Sequence, residues 1–213
     1  MCQNNLPDIH CKKEFIKDLQ SYNGFELIQK WYSDNYSTSK HLWVLYSIVR
    51  GLNAKNIIEV GFGRSTIALT HAISLNYGKL YCCDRYDYTL YLTTDYKHYI
   101  DYTVGDAKDL LKKIDFGVEF VFLDYLSSRE RSAESSVKAI YRFLKHVKQN
   151  GIIAVHDTIE KKYFVKDAFK QLRKDKKLEV MSLPYNYGLG LIRKLGKSEY
   201  GKIEDNWKKK DDK

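Results

Sequence analysis

The chain of 213 residues has only two prolines, Pro7 and Pro184, and no internal repeat, so nothing in it reads as a linker between domains. No apolar run approaches the roughly 18 residues of a membrane span, and the first ten residues hold no signal-peptide apolar core. Its four cysteines (Cys2, Cys11, Cys82, Cys83) show no zinc-ligand spacing, and the adjacent pair is poorly placed for an intrachain bridge. A reduced, cytoplasmic protein is the expectation. The length suits one domain that can bury a core without a disulfide or metal staple. Hydrophobic content of 44% with 14% aromatics excludes a disordered chain.

Charge is abundant and uneven. The net charge is +9, and residues 131–195 alone hold fifteen basic and six acidic side chains. Residues 56–130 hold eight basic and eleven acidic ones. A ligand carrying several phosphates does not match that acidic middle.

From residue 56, short apolar runs alternate with amphipathic segments. The runs are 56–60, 79–83, 99–104, 119–123 and 151–155, and the spacing predicts helices near 65–76, 87–97, 106–114, 130–148 and 159–177. Helical periods also run through Phe25, Ile28 and Trp31, and through Leu42, Leu45, Ile48 and Val49. Strand-helix alternation implies a parallel sheet covered by helices. Two last strands, 178–183 and 189–193, are separated by only five residues, too few for a crossover, so the final strand must run antiparallel. The expected fold is α/β: a Rossmann-like, doubly wound, mostly parallel seven-stranded sheet with an antiparallel C-terminal hairpin strand.

Ligands of open parallel sheets bind outside the carboxyl ends of the strands. Five strands end in, or lead into, an acid: Glu59, Asp84, Asp106, Asp124 and Asp157. One acid at such a place is often a helix cap; five along one edge point to a site. The first loop reads Glu59-Val60-Gly61-Phe62-Gly63-Arg64-Ser65-Thr66. Gly61 and Gly63 allow a tight turn and close approach of a ligand. Thr66 stands where a dinucleotide fingerprint wants a third glycine, and a phosphate-loop lysine is absent. A glycine loop beside carboxylates suits a ligand with a ribose and a positive charge.

On these residues the chain, over about 39–194, resembles the class I S-adenosylmethionine-dependent methyltransferases, whose fold ends in the same hairpin. The resemblance implies that Glu59, Gly61, Gly63 and Ser65 form the motif cradling the methionine end. It implies that Asp84 binds the ribose hydroxyls, with Arg85 beside the adenine, and that Asp106-Ala107 meet the adenine amino group. A carboxylate suits both tasks because it accepts two donors. On this reading residues 1–50 are a helical extension or lid, 51–195 the S-adenosylmethionine-binding domain, and 196–213 a charged tail.

The segments around Asp124 and His156-Asp157 resemble those of catechol-type and related small-molecule O-methyltransferases. That resemblance places the three residues by the transferred methyl, so Asp124 counts both as cofactor-facing and as catalytic. It also implies a divalent cation, magnesium or manganese, held by Asp124, His156 and Asp157. His156 departs from the subgroup's carboxylate: imidazole suits softer metals than magnesium, or serves as a general base without metal. A packing role for His156 with Asp157 as a helix cap is the third option. The implied activity is methyl transfer to a small-molecule hydroxyl. Alternatives are an RNA or protein methyltransferase using the basic flank, and a cofactor-binding module without transfer. Nucleic acid is not the favoured partner, because the basic residues of 131–177 fall on helices along one flank, where a solvated lysine face is expected. Trp31, Tyr32, Tyr36 and Trp43 suit a core or dimer contact better than a lid, and a homodimer stays open.

Overall fold

The computed structural model describes residues 12–34, 38–126, 130–160 and 163–197. Cys2, Cys11, Tyr36, Lys161, Lys162, residues 127–129 and the charged tail beyond 197 lie outside them. The described chain divides into two compact units, Met1–Asp115 and Phe116–Lys213. Seven strands follow the order β3-β2-β1-β4-β5-β7-β6 in one sheet.

The first unit opens with α1 (Lys12–Ser21) and α2 (Gly24–Tyr32). Asn23 separates them by capping α2: its carboxamide oxygen accepts from the Phe25 and Glu26 N–H groups at 3.1 and 3.3 Å, and Glu26 accepts from the Asn23 N–H at 3.0 Å. Then come a 3-10 turn at Ser39–His41, α3 (Leu42–Gly51), β1 (Asn56–Val60), α4 (Arg64–Ser74), β2 (Lys79–Asp84), α5 (Thr94–Tyr99), β3 (Ile100–Val104) and α6 (Ala107–Leu111). β1 pairs β2, and β2 pairs β3, both parallel, with Glu59 opposite Cys82 and Asp84 opposite Val104.

The second unit holds β4 (Val118–Leu123), α7 (Ala133–Leu144), β5 (Val147–His156), α8 (Val165–Leu172), β6 (Leu178–Leu183) and β7 (Leu189–Lys194). β4 and β5 are parallel; β7 runs antiparallel to both β5 and β6. The run Phe120–Leu123 is fully buried, as expected for a strand covered on both faces. The expected sheet and terminal hairpin are both present.

Several boundaries differ from the sequence reading. The strand expected at 151 begins at Val147, because Val147 pairs with Val118 before the register shifts. The shift is a bulge: residues 148–150 are exposed, and Asn150 has φ of 64°. Those polar residues hid the strand and lengthened the helix expected before it, which ends at Leu144. The helix expected over 87–97 is a 3-10 turn (Thr89–Tyr91) and the short α5, because Asp87 and Thr89 bond each other instead of continuing a helix. The helix expected over 159–177 has α8 as its regular part.

Candidate active site

Each unit carries its own cluster of sequence-predicted residues. In the first unit the cluster is a set of strand-end loops tied together by the backbone. Gly61 has φ of 104°, a conformation that a side chain disfavours, and its N–H donates to the Cys83 carbonyl at 3.0 Å. Asp84 joins three loops. Its Oδ2 accepts from the Phe62 N–H at 3.0 Å and its Oδ1 from the Tyr86 N–H at 3.3 Å, while its carbonyl accepts from the Gly105 N–H at 2.8 Å.

Glu59 points into the protein and is fully buried. Its Oε1 accepts from the Ser65 hydroxyl at 2.7 Å, and its Oε2 receives the Cys82 thiol at 3.6 Å. Glu59 and Ser65 therefore fasten the end of β1 to the start of α4. Burial, then Glu59, pushes the Cys82 thiol well up from its usual range, so it stays protonated. Thr66 has a positive reason to replace a glycine: it is buried, and its hydroxyl accepts from the Gly63 N–H at 3.0 Å. Gly63 itself is extended, with open space where a Cβ would stand. Space rather than torsion is what Gly63 provides.

Asp106 caps α6, its Oδ1 accepting from the Lys108 and Asp109 N–H groups at 2.7 and 3.2 Å. Both bonds fall on one oxygen. Ala107 is buried behind it, and Arg85 is exposed beside Asp84.

The second unit's cluster is made by side chains. His156 Nδ1 lies 2.8 Å from Asp124 Oδ1 and 3.4 Å from Asp157 Oδ1. One donor atom from each of the three residues lies within 4.8 Å of the others. His156 and Asp157 are buried, and Asp124 is half-buried. Asp157 has φ of 63°, a left-handed conformation that costs a non-glycine residue about 1 kcal/mol or more. The connection after β5 is held in place by the β6–β7 turn: the Thr158 N–H donates to the Gly188 carbonyl at 3.4 Å and the Ile159 N–H to the Tyr187 carbonyl at 3.1 Å. Gly188 has φ of 93°, and a Cβ there would meet the Ile159 nitrogen at 2.8 Å. The Tyr187 ring stands edge-on to His156 at 6.4 Å.

Sequence reasoning missed several residues around the glycine loop. Phe62 stacks on Tyr88 with centroids 5.0 Å apart, and Arg64 reaches Asp34 and Ser39. Their partners lie 26, 30 and 25 residues away, and no periodic pattern marks such pairs. Trp31 is a core residue whose Nε1–H donates to Asp18 at 2.8 Å. His71 packs against Phe25 and Tyr46, and burial, then Arg50, lowers its pKa. On the basic flank, Lys138 pairs with Glu134, and Lys170 pairs with Asp167 at 2.7 Å.

Residues 58–158 match the family described as Methyltransferase domain. No curated protein matches the chain. Among solved structures, the Podospora anserina methyltransferase PaMTH1, bound to SAH, is 13% identical with a TM-score of 0.60, over 92% of this chain and 100% of that one. An O-methyltransferase from Bacillus cereus in complex with SAH is 14% identical with a TM-score of 0.62, over 88% and 93%. Cofactor-bound Rv0187 from MTB is 14% identical with a TM-score of 0.64, over 85% and 91%. At these identities the likeness is one of fold. Among the described residues no helix is long and apolar enough to cross a membrane. Residues 58–158 thus match a methyltransferase domain, and the fold around them, with its terminal antiparallel hairpin, is shared with solved methyltransferases.

Proposed function

We propose that the protein transfers a methyl group from S-adenosylmethionine to a hydroxyl of a small molecule. The first unit would bind the cofactor. Asp84, its position fixed by the Phe62 and Tyr86 N–H groups, accepts the ribose hydroxyls. Gly61 and Gly63 let the loop approach the methionine end, with Glu59 and Ser65 bracing that loop from behind. Arg85 and Ala107 flank the adenine, and Asp106 meets its amino group through the oxygen that does not cap α6. The observation that carries the hydroxyl assignment is in the second unit: the compact trio of Asp124, His156 and Asp157, with Asp157 held in a strained backbone.

Two ways of activating the hydroxyl use that trio. Two carboxylates and an imidazole with donor atoms within 4.8 Å of one another fit the edges of a coordination sphere, and the imidazole suits manganese better than magnesium. A cation bound there would lower the pKa of the acceptor hydroxyl. The 2.8 Å bond supports a second route. With His156 Nδ1–H donating to Asp124, the ring is oriented and its Nε2 takes the hydroxyl proton. In either route the acceptor oxygen attacks the methyl carbon, and the C–S bond breaks with its electron pair going to sulfur. The test is turnover of S-adenosylmethionine with catechol as probe acceptor, before and after exhaustive chelation and manganese readdition. Loss and recovery of activity select the cation; activity unchanged by chelator but lost in His156→Gln selects the base. No turnover with any hydroxyl acceptor, alongside methylation of RNA, would contradict the proposal.

A further inference from the structure

The glycine loop is gripped from outside by the N-terminal helices, through two residues that neither motif nor spacing marks. Arg64, the first residue of α4, directs its Nη1 to Asp34 in an ion pair and donates to the Ser39 hydroxyl at 3.0 Å. Ser39 in turn donates to Asp34 at 2.5 Å, which closes a three-membered polar ring. The guanidinium also lies over the Trp31 ring, 5.3 Å from its centroid. Arg64 is only 16% exposed and Ser39 is fully buried, while Asp34 is 40% exposed, so the pair is screened from solvent on the arginine side only.

Two residues earlier in the same loop, the Phe62 ring stands edge-on to Phe15 of α1 at 6.3 Å and stacks on Tyr88. Phe15 stacks on Trp31 at 5.6 Å with planes 10° apart. The circuit Arg64–Trp31–Phe15–Phe62 therefore begins and ends in the loop. Asp18 stiffens it by bonding both Trp31 and Lys30. The Phe62 N–H that donates to Asp84 belongs to the same residue whose ring contacts α1. A shift of α1 and α2 is thus felt at the carboxylate assigned to the ribose.

We propose that Arg64 is a positioning residue for the cofactor: by tying the glycine loop to Asp34 and Ser39, it makes S-adenosylmethionine binding and docking of helices 12–32 mutually reinforcing. The inference rests on the assignment of the glycine loop and Asp84 to the cofactor. Reciprocity follows from linkage: if docked helices favour the binding shape of the loop, bound cofactor must favour docked helices by the same factor. A second consequence concerns charge. S-adenosylmethionine carries one more positive charge than S-adenosylhomocysteine. Asp34 neutralises Arg64, so Asp34→Asn exposes the loop to an uncompensated cation.

The test is calorimetry of the full-length chain with both nucleosides, for wild type, Arg64→Met, Arg64→Lys, Asp34→Asn and the double variant Asp34→Asn/Arg64→Met. Hydrogen exchange of residues 12–34 is followed with and without S-adenosylhomocysteine. Arg64→Met should weaken S-adenosylhomocysteine about tenfold, Arg64→Lys should recover part of the loss, and the double variant should be no weaker than Arg64→Met. Asp34→Asn should weaken S-adenosylmethionine more than S-adenosylhomocysteine. Cofactor should slow exchange over 12–34 in wild type and not in Arg64→Met. Unchanged affinity in Arg64→Met, additive losses, or no cofactor-induced protection in wild type would overturn the inference. Should Arg64→Met fail to fold, Ser39→Ala and Asp34→Asn carry the same comparison. Asp84→Asn separates the two levels. If wild type does not bind, or Asp84→Asn binds as wild type does, the cofactor assignment fails. If Asp84→Asn alone loses binding, only the role of Arg64 fails.

Discussion

The loops of the first unit and the trio of the second are built on opposite plans. Around Asp84 the loops are joined mainly through main-chain groups: Gly61 to Cys83, Phe62 and Tyr86 to Asp84, Gly105 to Asp84. Around His156 the contacts that matter are between ionisable side chains, and the backbone contributes strain at Asp157. A pocket formed by backbone can hold a ligand in one shape while its side chains vary. A cluster of ionisable groups can change protonation and so take part in chemistry. In the proposed function, the first plan serves binding and the second serves chemistry.

The largest expected effect separates the two plans. Asp124→Ala and His156→Ala should each lower methyl transfer to catechol by about 10²–10⁴-fold, the usual range for a positioned acid or base. Affinity for S-adenosylhomocysteine in His156→Ala should stay within about threefold of wild type, by calorimetry. Asp84→Asn should do the reverse for binding. Loss of hydrogen bonds from a charged acceptor, about 1.5–3 kcal/mol, weakens the cofactor by about 10–100-fold. The asparagine keeps a carbonyl for the Phe62 N–H but turns its NH2 to the longer Tyr86 N–H contact, so stability should fall by about 1 kcal/mol, far short of unfolding.

A third substitution tests whether the backbone strain of the second unit is supported from the hairpin. Gly188→Ala combines an unfavourable φ with a contact to Ile159, and should cost about 1–3 kcal/mol by urea denaturation. It should also lower transfer activity, because the Gly188 carbonyl holds Thr158, the neighbour of Asp157.

The smallest effect is one of pH. Burial, then Arg50, lowers the His71 pKa, so the unfolded chain binds the proton more readily. Stability from this group is present above the unfolded value of about 6.5 and declines as pH falls towards the lowered folded value. Replacing His71 by Gln should flatten that part of the unfolding curve.

Much of this was legible in the sequence, and the failures have physical causes. The apolar runs of β1, β2 and β4 and the short link before β7 specify the sheet, because strands buried on both faces leave an unbroken hydrophobic signal. The loop Glu59–Thr66 reads in the sequence as a glycine turn between strand and helix, which the structure shows, yet Glu59 braces it through Ser65 from a fully buried position. Whether an acid beside a strand end points inward or outward depends on pleat and packing, which composition does not encode. The early start of β5 was hidden by Lys148-Gln149-Asn150, a bulge that looks like a loop. The pairing of Arg64 with Asp34 and of His156 with Asp124 joins residues 30 and 32 apart, set only by tertiary structure.

The division of labour is tested most directly by titrating S-adenosylhomocysteine into wild type, Asp84→Asn and His156→Gln by calorimetry. The account predicts one site per chain in wild type, strong weakening in Asp84→Asn and near wild-type affinity in His156→Gln. Undiminished binding in Asp84→Asn, or binding lost only in His156→Gln, would contradict it.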